Sequence, residues 1–566
     1  MKKIIALLLA LTLVVGTLAA CGGSADNSSS SSTVSTSSAD DTSSTAGDES
    51  EPEVSTPEAT GEITYPLAET KTISWWHPLR AAEYESSHDN NIVWQKIAEN
   101  VGVEIEWLHP ATGTETEQLN MLLVSGDLPD IIQIDGYLQN TGGSSGGVND
   151  GSFVDLTDYI AEYAPDYMRA ITSSDRAYAM ATTADGRVTE FDQIKQTAPQ
   201  WNRVNVRNDI MKEIGWEDRL PETIDDYTEM FGAMKDKGYY GYKLDINGRD
   251  DQFMYAYGIG NGFYIQKDGS VAYGQYTDTY RDYLKQIRSW IEAGYVHPDW
   301  TSSEADPSAF FANKETGMYF MPSDIAYGLA KLNGYEISCV NYPRLVSGGE
   351  FRFEVASWDA VPADGIRTVV TTDCEERGNL EAALALLNYG YTEEGAELYN
   401  WGVEGVSFTR NSDGTKTFTD NILNNERIPM AQAQYIFKLH FGPKLAEPDV
   451  SCNPGTIADE HALYLRELYS DDTTVNSDGI IFATLTMEQS VARGDIMTDV
   501  ETYMNESSLQ FLLGEKDIND DAAWQAYKDT MQSMGIEDAI AITQEAVDQF
   551  NAKSIPTFQI NDTIQK

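Results

Sequence analysis

Cysteine is scarce in this chain, which contains only four in 566 residues. Three of them, Cys339, Cys374 and Cys452, lie far apart and never form a CxxC pair, so the sequence has neither a disulfide framework nor a zinc signature. Two of the three could pair, or all could be buried thiols. Histidine is also rare, and its six positions include no pair at metal-ligand spacing. The sequence therefore predicts no metal and no cofactor.

Basic residues are few, with 38 against 90 acidic residues and a formal net charge of −52. Such a charge repels the phosphates of nucleic acid and the headgroups of anionic lipids, which makes both poor partners, and we expect no nucleic-acid binding. Enzyme motifs such as HExxH and GxSxG are missing as well. A glycosidase needs only two carboxylates close together, and the sequence gives no evidence of such a pair. We therefore expect a binding protein and no enzyme.

The chain begins with a secretory signal. Lys2 and Lys3 precede the run IIALLLALTLVVG, which is too short to span a bilayer comfortably. The next residues include LAAC at 18–21, which resembles the lipobox of bacterial lipoproteins. That resemblance implies a signal peptide over residues 1–20 and diacylglycerol on the sulfur of Cys21. The alternative is an ordinary signal cut at Ala-x-Ala, with the cysteine following by chance.

Bulky apolar residues are nearly absent from residues 21–65, which are rich in Ser, Thr, Ala, Gly, Asp and Glu. A segment of this composition cannot bury enough surface to offset the entropy lost on ordering. We therefore expect a disordered tether that joins a lipid anchor to a globular body. The localisation predicted is the extracellular face of the cell membrane.

About 500 residues follow the tether, which is more than one hydrophobic core accommodates and predicts two lobes. The stretches KTISWW, VEIEW and PDIIQID predict strands, and two amphipathic segments between them predict helices. This β-α-β-α-β order is typical of a doubly wound α/β sheet with parallel strands, whose ligands bind beyond the carboxyl ends of the strands. Adjacent side chains of a strand point to opposite faces. We expect Trp75 in the core and Trp76 at the ligand; the alternative is that the two exchange these positions.

The first lobe is expected over residues 66–190, completed by about 356–400 and part of the C-terminal helices. The second lobe is expected over 191–355, completed by part of 401–566. The stretch YLQNTGGSSGGVNDG is expected to be a loop, and it is no phosphate cradle because it lacks the GK[ST] sequence.

Five separated stretches resemble one known family: LLVSGDLPDII, VRNDIMKEIGWEDRLPETIDDYTEMFGAMKDKG, DYLKQIRSWIEAGYVHPDW with ANKETGMYFMP, LNYGYTEEGAELYNWGVEGVSFT, and LLGEKDINDDAAWQAYKDTMQSMGIED. They are similar to family 1 extracellular solute-binding lipoproteins, more closely to the oligosaccharide-type branch of Gram-positive bacteria. The resemblance covers most of residues 66–553. It implies a monomeric, two-lobed α/β protein of the periplasmic-binding-protein type, which clamps a ligand between its lobes.

Some members of that family carry a calcium-binding loop where this chain reads KDKGYYGYKLDINGRDD. Asp245 and Asn247 begin the spacing of such a loop, but Gly248 is misplaced for it.

A neutral glycan is bound by aromatic faces, on which sugar rings stack, and by planar polar groups that pair with hydroxyls. Trp401 and Glu404 are candidates within the glycine-flanked stretch NWGVEG, which is expected to be a loop. For every candidate tryptophan the alternative is a packing role. The other candidates lie at strand ends, lobe crossings or loops: Trp76, His77, Arg80, Asp135, Trp201, Asn202, Arg203 and Trp358.

The sequence thus predicts a membrane-anchored receptor that captures a carbohydrate, a neutral oligosaccharide, and delivers it to the permease subunits of an ABC importer. Two alternatives remain. One is a receptor of the same fold for peptides or another small solute, or one that signals to a sensor kinase. The other is a surface glycan-binding protein that is not coupled to transport.

Overall fold

The computed structural model describes residues 62–134, 143–195, 202–244, 251–302, 306–322, 326, 330, 333–340, 342–353, 361–447 and 476–555. The strands are β1 Thr72–Trp76, β2 Glu104–Leu108, β3 Ile131–Gln133, β4 Phe191–Lys195, β5 Asn202–Arg207, β6 Phe263–Ile265, β7 Val271–Tyr273, β8 Met318–Pro322, β9 Ile337–Val340, β10 Val361–Val370, β11 Phe408–Arg410, β12 Lys416–Phe418 and β13 Leu445–Ala446. The expected signal peptide and tether, with Cys21, lie outside the described residues, as does Cys452.

The helices of these ranges are α1 Ile92–Val101, α2 Glu115–Ser125, α3 Gly143–Asp150, α4 Ile160–Tyr163, α5 Pro165–Ile171, α6 Asp175–Ala181, α7 Asn208–Glu213, α8 Ile224–Asp236, α9 Asp251–Ala256, α10 Asp278–Ala293, α11 Pro307–Ala312, α12 Thr372–Glu376, α13 Leu380–Tyr389, α14 Glu393–Trp401, α15 Asp420–Leu423, α16 Met430–Phe437, α17 Met487–Leu513, α18 Asp521–Ser533 and α19 Ile536–Ala552.

The larger sheet has six strands in the order β13-β4-β10-β3-β1-β2. Strand β1 pairs in parallel with β2 and with β3, which confirms the β-α-β-α-β start predicted from the sequence. Strand β10 then joins β3 in the antiparallel direction, so the sheet is mixed and not wholly parallel. Strand β4 is antiparallel to β10, and β13 is parallel to β4. As a result β1, β3 and β4 end at the same edge of the sheet.

A smaller sheet has the order β8-β5-β9, with β5 antiparallel to both neighbours. The start of β5 therefore lies beside the ends of the other two strands, where Asn202 pairs with Pro322 and Val204 pairs with Val340.

Two hydrophobic cores correspond to the two sheets. The first lobe is built on the larger sheet, and its core includes Trp75, Trp94, Tyr167, Leu386 and Tyr399. The second lobe is built on the smaller sheet and includes α17, α18 and α19; its core contains Tyr227, Phe231, Trp290, Phe511 and Trp524. The two-lobed α/β architecture expected from the sequence is confirmed.

Helix α8 shows why capping residues and apolar periodicity correctly predicted the regular helices. Thr223 and Asp226 form a capping box that satisfies free backbone N–H groups at its start. Its buried residues Tyr227, Met230 and Met234 recur at the spacing of one helical face. Local capping and tertiary burial therefore favour the same element.

The glycine-rich stretch after β3 was expected to be a loop, and this prediction was wrong for residues 143–150. They form α3, although glycine is a poor helix former. A Cβ added at Gly147 would lie 2.1 Å from the ring of Phe153. The close approach of this helix to Phe153 thus requires a residue without a side chain, and tertiary packing outweighs the low helix propensity.

The end of the chain joins the two lobes. The Nζ of Lys553 donates to the carbonyl oxygens of Ala179, at 3.0 Å, and Thr182, at 2.9 Å, at the C-terminal end of α6. The N–H of Ile555 also lies 3.4 Å from a carboxylate oxygen of Asp175. These hydrogen bonds connect the segment after α19, in the second lobe, with α6 of the first lobe.

Replacing Lys553 by Met should weaken the coupling between the lobes, because it removes donors to two carbonyl oxygens at a helix C-terminus. We expect the calorimetric unfolding transition to broaden or divide into two. The control is Lys528→Met, which removes a contact with Asp278 inside the second lobe and should leave one sharp transition. A single, unbroadened transition for Lys553→Met would contradict the coupling role.

Candidate ligand-binding cleft

The carboxyl edge of the larger sheet is the edge from which the chain continues into the second lobe after β4. Strand β1 ends there at Trp76 and β4 at Lys195, which pairs with Val361 at the start of β10. Residues 196–201 lead from β4 to β5, whose start lies at one edge of the second sheet. Strand ends of this kind are the usual ligand position in open α/β sheets. The candidate site therefore comprises this carboxyl edge and the start of β5.

The two adjacent tryptophans of β1 occupy opposite faces of the larger sheet. Trp75 is fully buried in the first core and makes an edge contact with Trp94 at 5.1 Å between ring centroids. Trp76 is 5% exposed and packs in a separate cluster that includes Leu119, Ile132 and Phe153. Burial of Trp75 is as expected. A contact between Trp76 and a ligand stays a prediction.

His77 follows Trp76. Because successive side chains of a strand point to opposite faces, His77 lies on the same face of the sheet as Trp75. It is 6% exposed, and its ring packs at 5.7 Å from the rings of Trp75 and Trp94. Its Nδ1 lies 3.0 Å from the carbonyl oxygen of Pro78 and 3.1 Å from Nε2 of His88. Burial lowers the pKa of His77 well below its usual range, so the imidazole is neutral.

The sequence did not single out three further side chains of this region, which are those of Glu85, His88 and His109. Nδ1 of His88 lies 3.0 Å from a carboxylate oxygen of Glu85, and the backbone N–H of His88 donates to Nε2 of His109. Burial lowers the pKa of His88 to about 3 and raises the pKa of Glu85 to about 7. A signal was present, because His77 and His109 both directly follow parallel strands that end side by side.

Arg80 lies in the loop between β1 and α1, and its guanidinium is 5.1 Å from the ring centroid of Phe441. The same loop contacts α16, because the side-chain amide of Asn91 donates to the carbonyl oxygen of Ile436. Trp76, His77 and Arg80 thus lie at or just after the end of β1, with Trp76 and His77 on opposite faces of the sheet.

Trp401 does not lie in a loop, as was expected; it is the last residue of α14. It is 7% exposed, its ring stacks on Phe418 at 4.6 Å, and its Nε1–H donates to Glu447 at 2.8 Å. Glu404 is exposed and lies 3.7 Å from Arg410. Both residues therefore contact the β11–β12 hairpin, apart from the group around Trp76.

For the remaining candidates, a contact with the ligand stays a prediction. Asn202 and Arg203 begin β5 at the edge of the second sheet. Three others lie outside the described residues: Asp135, Trp201 and Trp358.

No group of three or more His, Cys, Asp or Glu side chains within the described ranges is placed to hold a metal ion. The stretch 245–250, which includes Asp245 and Asn247, is outside those ranges. In the described part of the chain, no helix combines the length and apolar character needed to cross a membrane.

The end of α14 generates a prediction about Gly402, whose φ of +81° favours glycine. A Cβ there would lie 2.0 Å from the carbonyl oxygen of Phe437. Gly402→Ala should therefore lower the free energy of unfolding, measured with urea, by more than the roughly 1–2 kcal/mol that a left-handed conformation alone costs. Gly405 is a matched control, because it has the same φ but open space around its Cβ position. Equal losses from both substitutions would contradict the close approach.

Comparisons with known proteins agree with this architecture. A family profile described as bacterial extracellular solute-binding protein matches residues 93–423. The fructooligosaccharide ABC transporter substrate-binding protein FusA of Streptococcus pneumoniae is 24% identical over 525 residues, which cover 87% of this chain and 92% of FusA.

Two solved structures share the fold. FusA of S. pneumoniae in complex with kestose gives a TM-score of 0.64 at 19% identity, over 85% of this chain and all of that one. An HMO-binding, ABC-transporter-associated solute-binding protein of Bifidobacterium longum infantis gives 0.65 at 17% identity, over 85% of this chain and 99% of the other. Since the family profile spans more than half of its length, this chain belongs to the bacterial extracellular solute-binding proteins.

Proposed function

We propose that this protein captures an oligosaccharide between its two lobes and delivers it to an ABC importer. The observation that carries the proposal is that β1, β3 and β4 end at one edge of the larger sheet, from which the chain continues to the start of β5 in the second lobe, in a chain related to FusA over most of its length. No bond of the ligand is broken in this function, so the protein acts as a receptor and not as an enzyme.

The proposed ligand contacts combine aromatic faces with polar groups at the two edges. Trp76, with Arg80 on the adjoining loop, lies at the first edge, and Asn202 and Arg203 begin the strand at the second. His77, Asp135, Trp201, Trp358, Trp401 and Glu404 remain candidates. The charge of −52 favours a neutral glycan over an acidic one.

The setting of this function is the outer face of the cell membrane. We propose that Cys21 carries the lipid anchor and that the segment after it tethers the body, which acts as a monomer and meets the permease subunits of the importer. The LAAC stretch and the composition of residues 21–65 support this arrangement.

A thermal-shift screen of residues 63–566 tests the proposal. The ligands are kestose, acidic oligogalacturonides and short peptides. A ligand present at 100 times its Kd should stabilise the folded state by about 2.7 kcal/mol, which raises the melting temperature measurably. We expect a shift with the neutral oligosaccharide. A shift with peptides alone would contradict the sugar assignment, and a shift with the acidic glycan alone would correct the class of sugar.

Trp76→Ala should weaken binding of the glycan that gives this shift by about 2 kcal/mol, roughly thirtyfold, because a stacking face is lost. Isothermal titration calorimetry measures the Kd, and urea unfolding of the same variant measures its stability. Unchanged affinity together with reduced stability would assign Trp76 to packing alone.

A further inference from the structure

The loop between β1 and α1, residues 77–91, contains a chain of three hydrogen-bonded side chains: Glu85, His88 and His77. The carboxylate of Glu85 lies 3.0 Å from Nδ1 of His88, and Nε2 of His88 lies 3.1 Å from Nδ1 of His77. The side chains of His88 and Glu85 are only 5% and 8% exposed. We call these three residues the relay. Its members are buried, adjacent and titratable.

The contacts of the relay determine which nitrogen carries the proton. The carbonyl oxygen of Pro78 can only accept, so Nδ1 of His77 carries a hydrogen. Nε2 of His88 then accepts, and Nδ1 of His88 donates to the carboxylate of Glu85. The His88 imidazole is therefore neutral. Nε2 of His77 is buried with no hydrogen-bond partner in the described structure, and the pKa of His77, which burial lowers, keeps that imidazole neutral as well.

The relay fixes the loop to the ends of two strands. Nδ1 of His109, which follows β2, bonds the carbonyl oxygen of His77 at 2.7 Å, and its Nε2 accepts from the backbone N–H of His88. The side-chain amide of Asn91 donates to Glu85 at 2.8 Å. The rings of Trp75, Trp94 and Trp107 surround the imidazoles, with centroids 4.9 to 6.0 Å away. A charge inside this aromatic enclosure would be poorly solvated.

We infer that the relay is a pH-dependent positioning device, which holds the loop carrying Arg80 at the first-lobe side of the cleft only while its imidazoles are neutral. The inference rests on the proposed function for its effect on a ligand. Acid should release the loop from β1 and β2, and binding of the glycan should weaken with it.

The direction of the pH effect follows from the protons bound by each state. Burial lowers the pKa of His77 and His88 in the attached loop. Below pH 6.5, the ordinary imidazole pKa, these two side chains therefore bind two more protons in the released loop than in the attached loop. Burial raises the pKa of Glu85 from 4.5 to about 7, so the attached loop retains one proton more in that window. The other charged or titratable groups nearby are Arg80, Asp89, His109 and Tyr399.

The net difference is one proton between pH 6.5 and 4.5, and it favours the released loop. The equilibrium for attachment should therefore weaken up to about tenfold for each pH unit in this range. Glu85→Gln keeps an acceptor for His88 but removes the opposing carboxyl. Between pH 6.5 and 4.5, the released loop of this variant should bind two protons more than the attached loop. The equilibrium constant for attachment should then fall by about a hundredfold for each pH unit.

The experiment uses the full chain and follows tryptophan emission from pH 7 to 4.5, because release of the loop would hydrate Trp75, Trp94 and Trp107. We expect a red shift that begins below pH 6.5 in the wild type and is steeper in Glu85→Gln. His88→Phe should show the shifted emission already at pH 7 with no further pH dependence. His297→Phe is the control, since His297 is buried in the second lobe, and should behave as the wild type.

Kestose is titrated into the same proteins at each pH. We expect its affinity to follow the emission change in the wild type and to be low and pH-independent in His88→Phe. Wild-type emission that is flat over this range, or an equal pH dependence in His88→Phe, would overturn the relay. The expected emission changes without kestose binding at any pH would support the relay and count against the proposed sugar.

Discussion

The first lobe depends on burying β1 on both of its faces. A strand with large side chains on each side can lie only inside a sheet that is covered above and below, as parallel sheets usually are. The core around Trp75 meets this requirement on one face, and the cluster around Trp76 meets it on the other. Once β1 is fixed there, its neighbours β2 and β3 run in the same direction, and the three strands end at the same edge of the sheet.

The regular part of this arrangement could be predicted from the sequence because local signals and burial agree. Apolar periodicity, a capping residue and a terminal glycine define α1, whose cap is Asn91 and whose last residue is followed by Gly102. The antiparallel position of β10 could not be predicted in this way. It enters the sheet beside β3 from a distant part of the chain, and nothing in its own residues specifies its direction.

The errors at Gly147 and Trp401 have a common physical cause. Glycines near a segment favour a loop when only local propensity is considered. In α3 the glycine permits close packing against Phe153, and at the end of α14 it permits the chain to turn away beside Phe437. Both glycines permit close contacts with residues outside their own helix, Phe153 and Phe437, and local helix or loop propensity does not report such contacts.

The candidate site was only partly accessible to sequence reasoning. The strand-end rule correctly drew attention to the end of β1, and strict alternation of side chains would have placed His77 on the face of Trp75. The hydrogen bonds among Glu85, His88 and His77 depend on the path of the loop after β1. That path is determined by packing against α16 and the end of β2, which are separate in sequence.

The position of Lys553 also bears on how the protein is made. Its contacts with Ala179 and Thr182 join one of the last described residues to a helix that is translated far earlier. During synthesis the first lobe must also wait for β10 and β13 to complete its sheet. The hydrogen bonds of Lys553 can therefore form only after both lobes have been synthesised, and a chain that stops short of Lys553 would lack them.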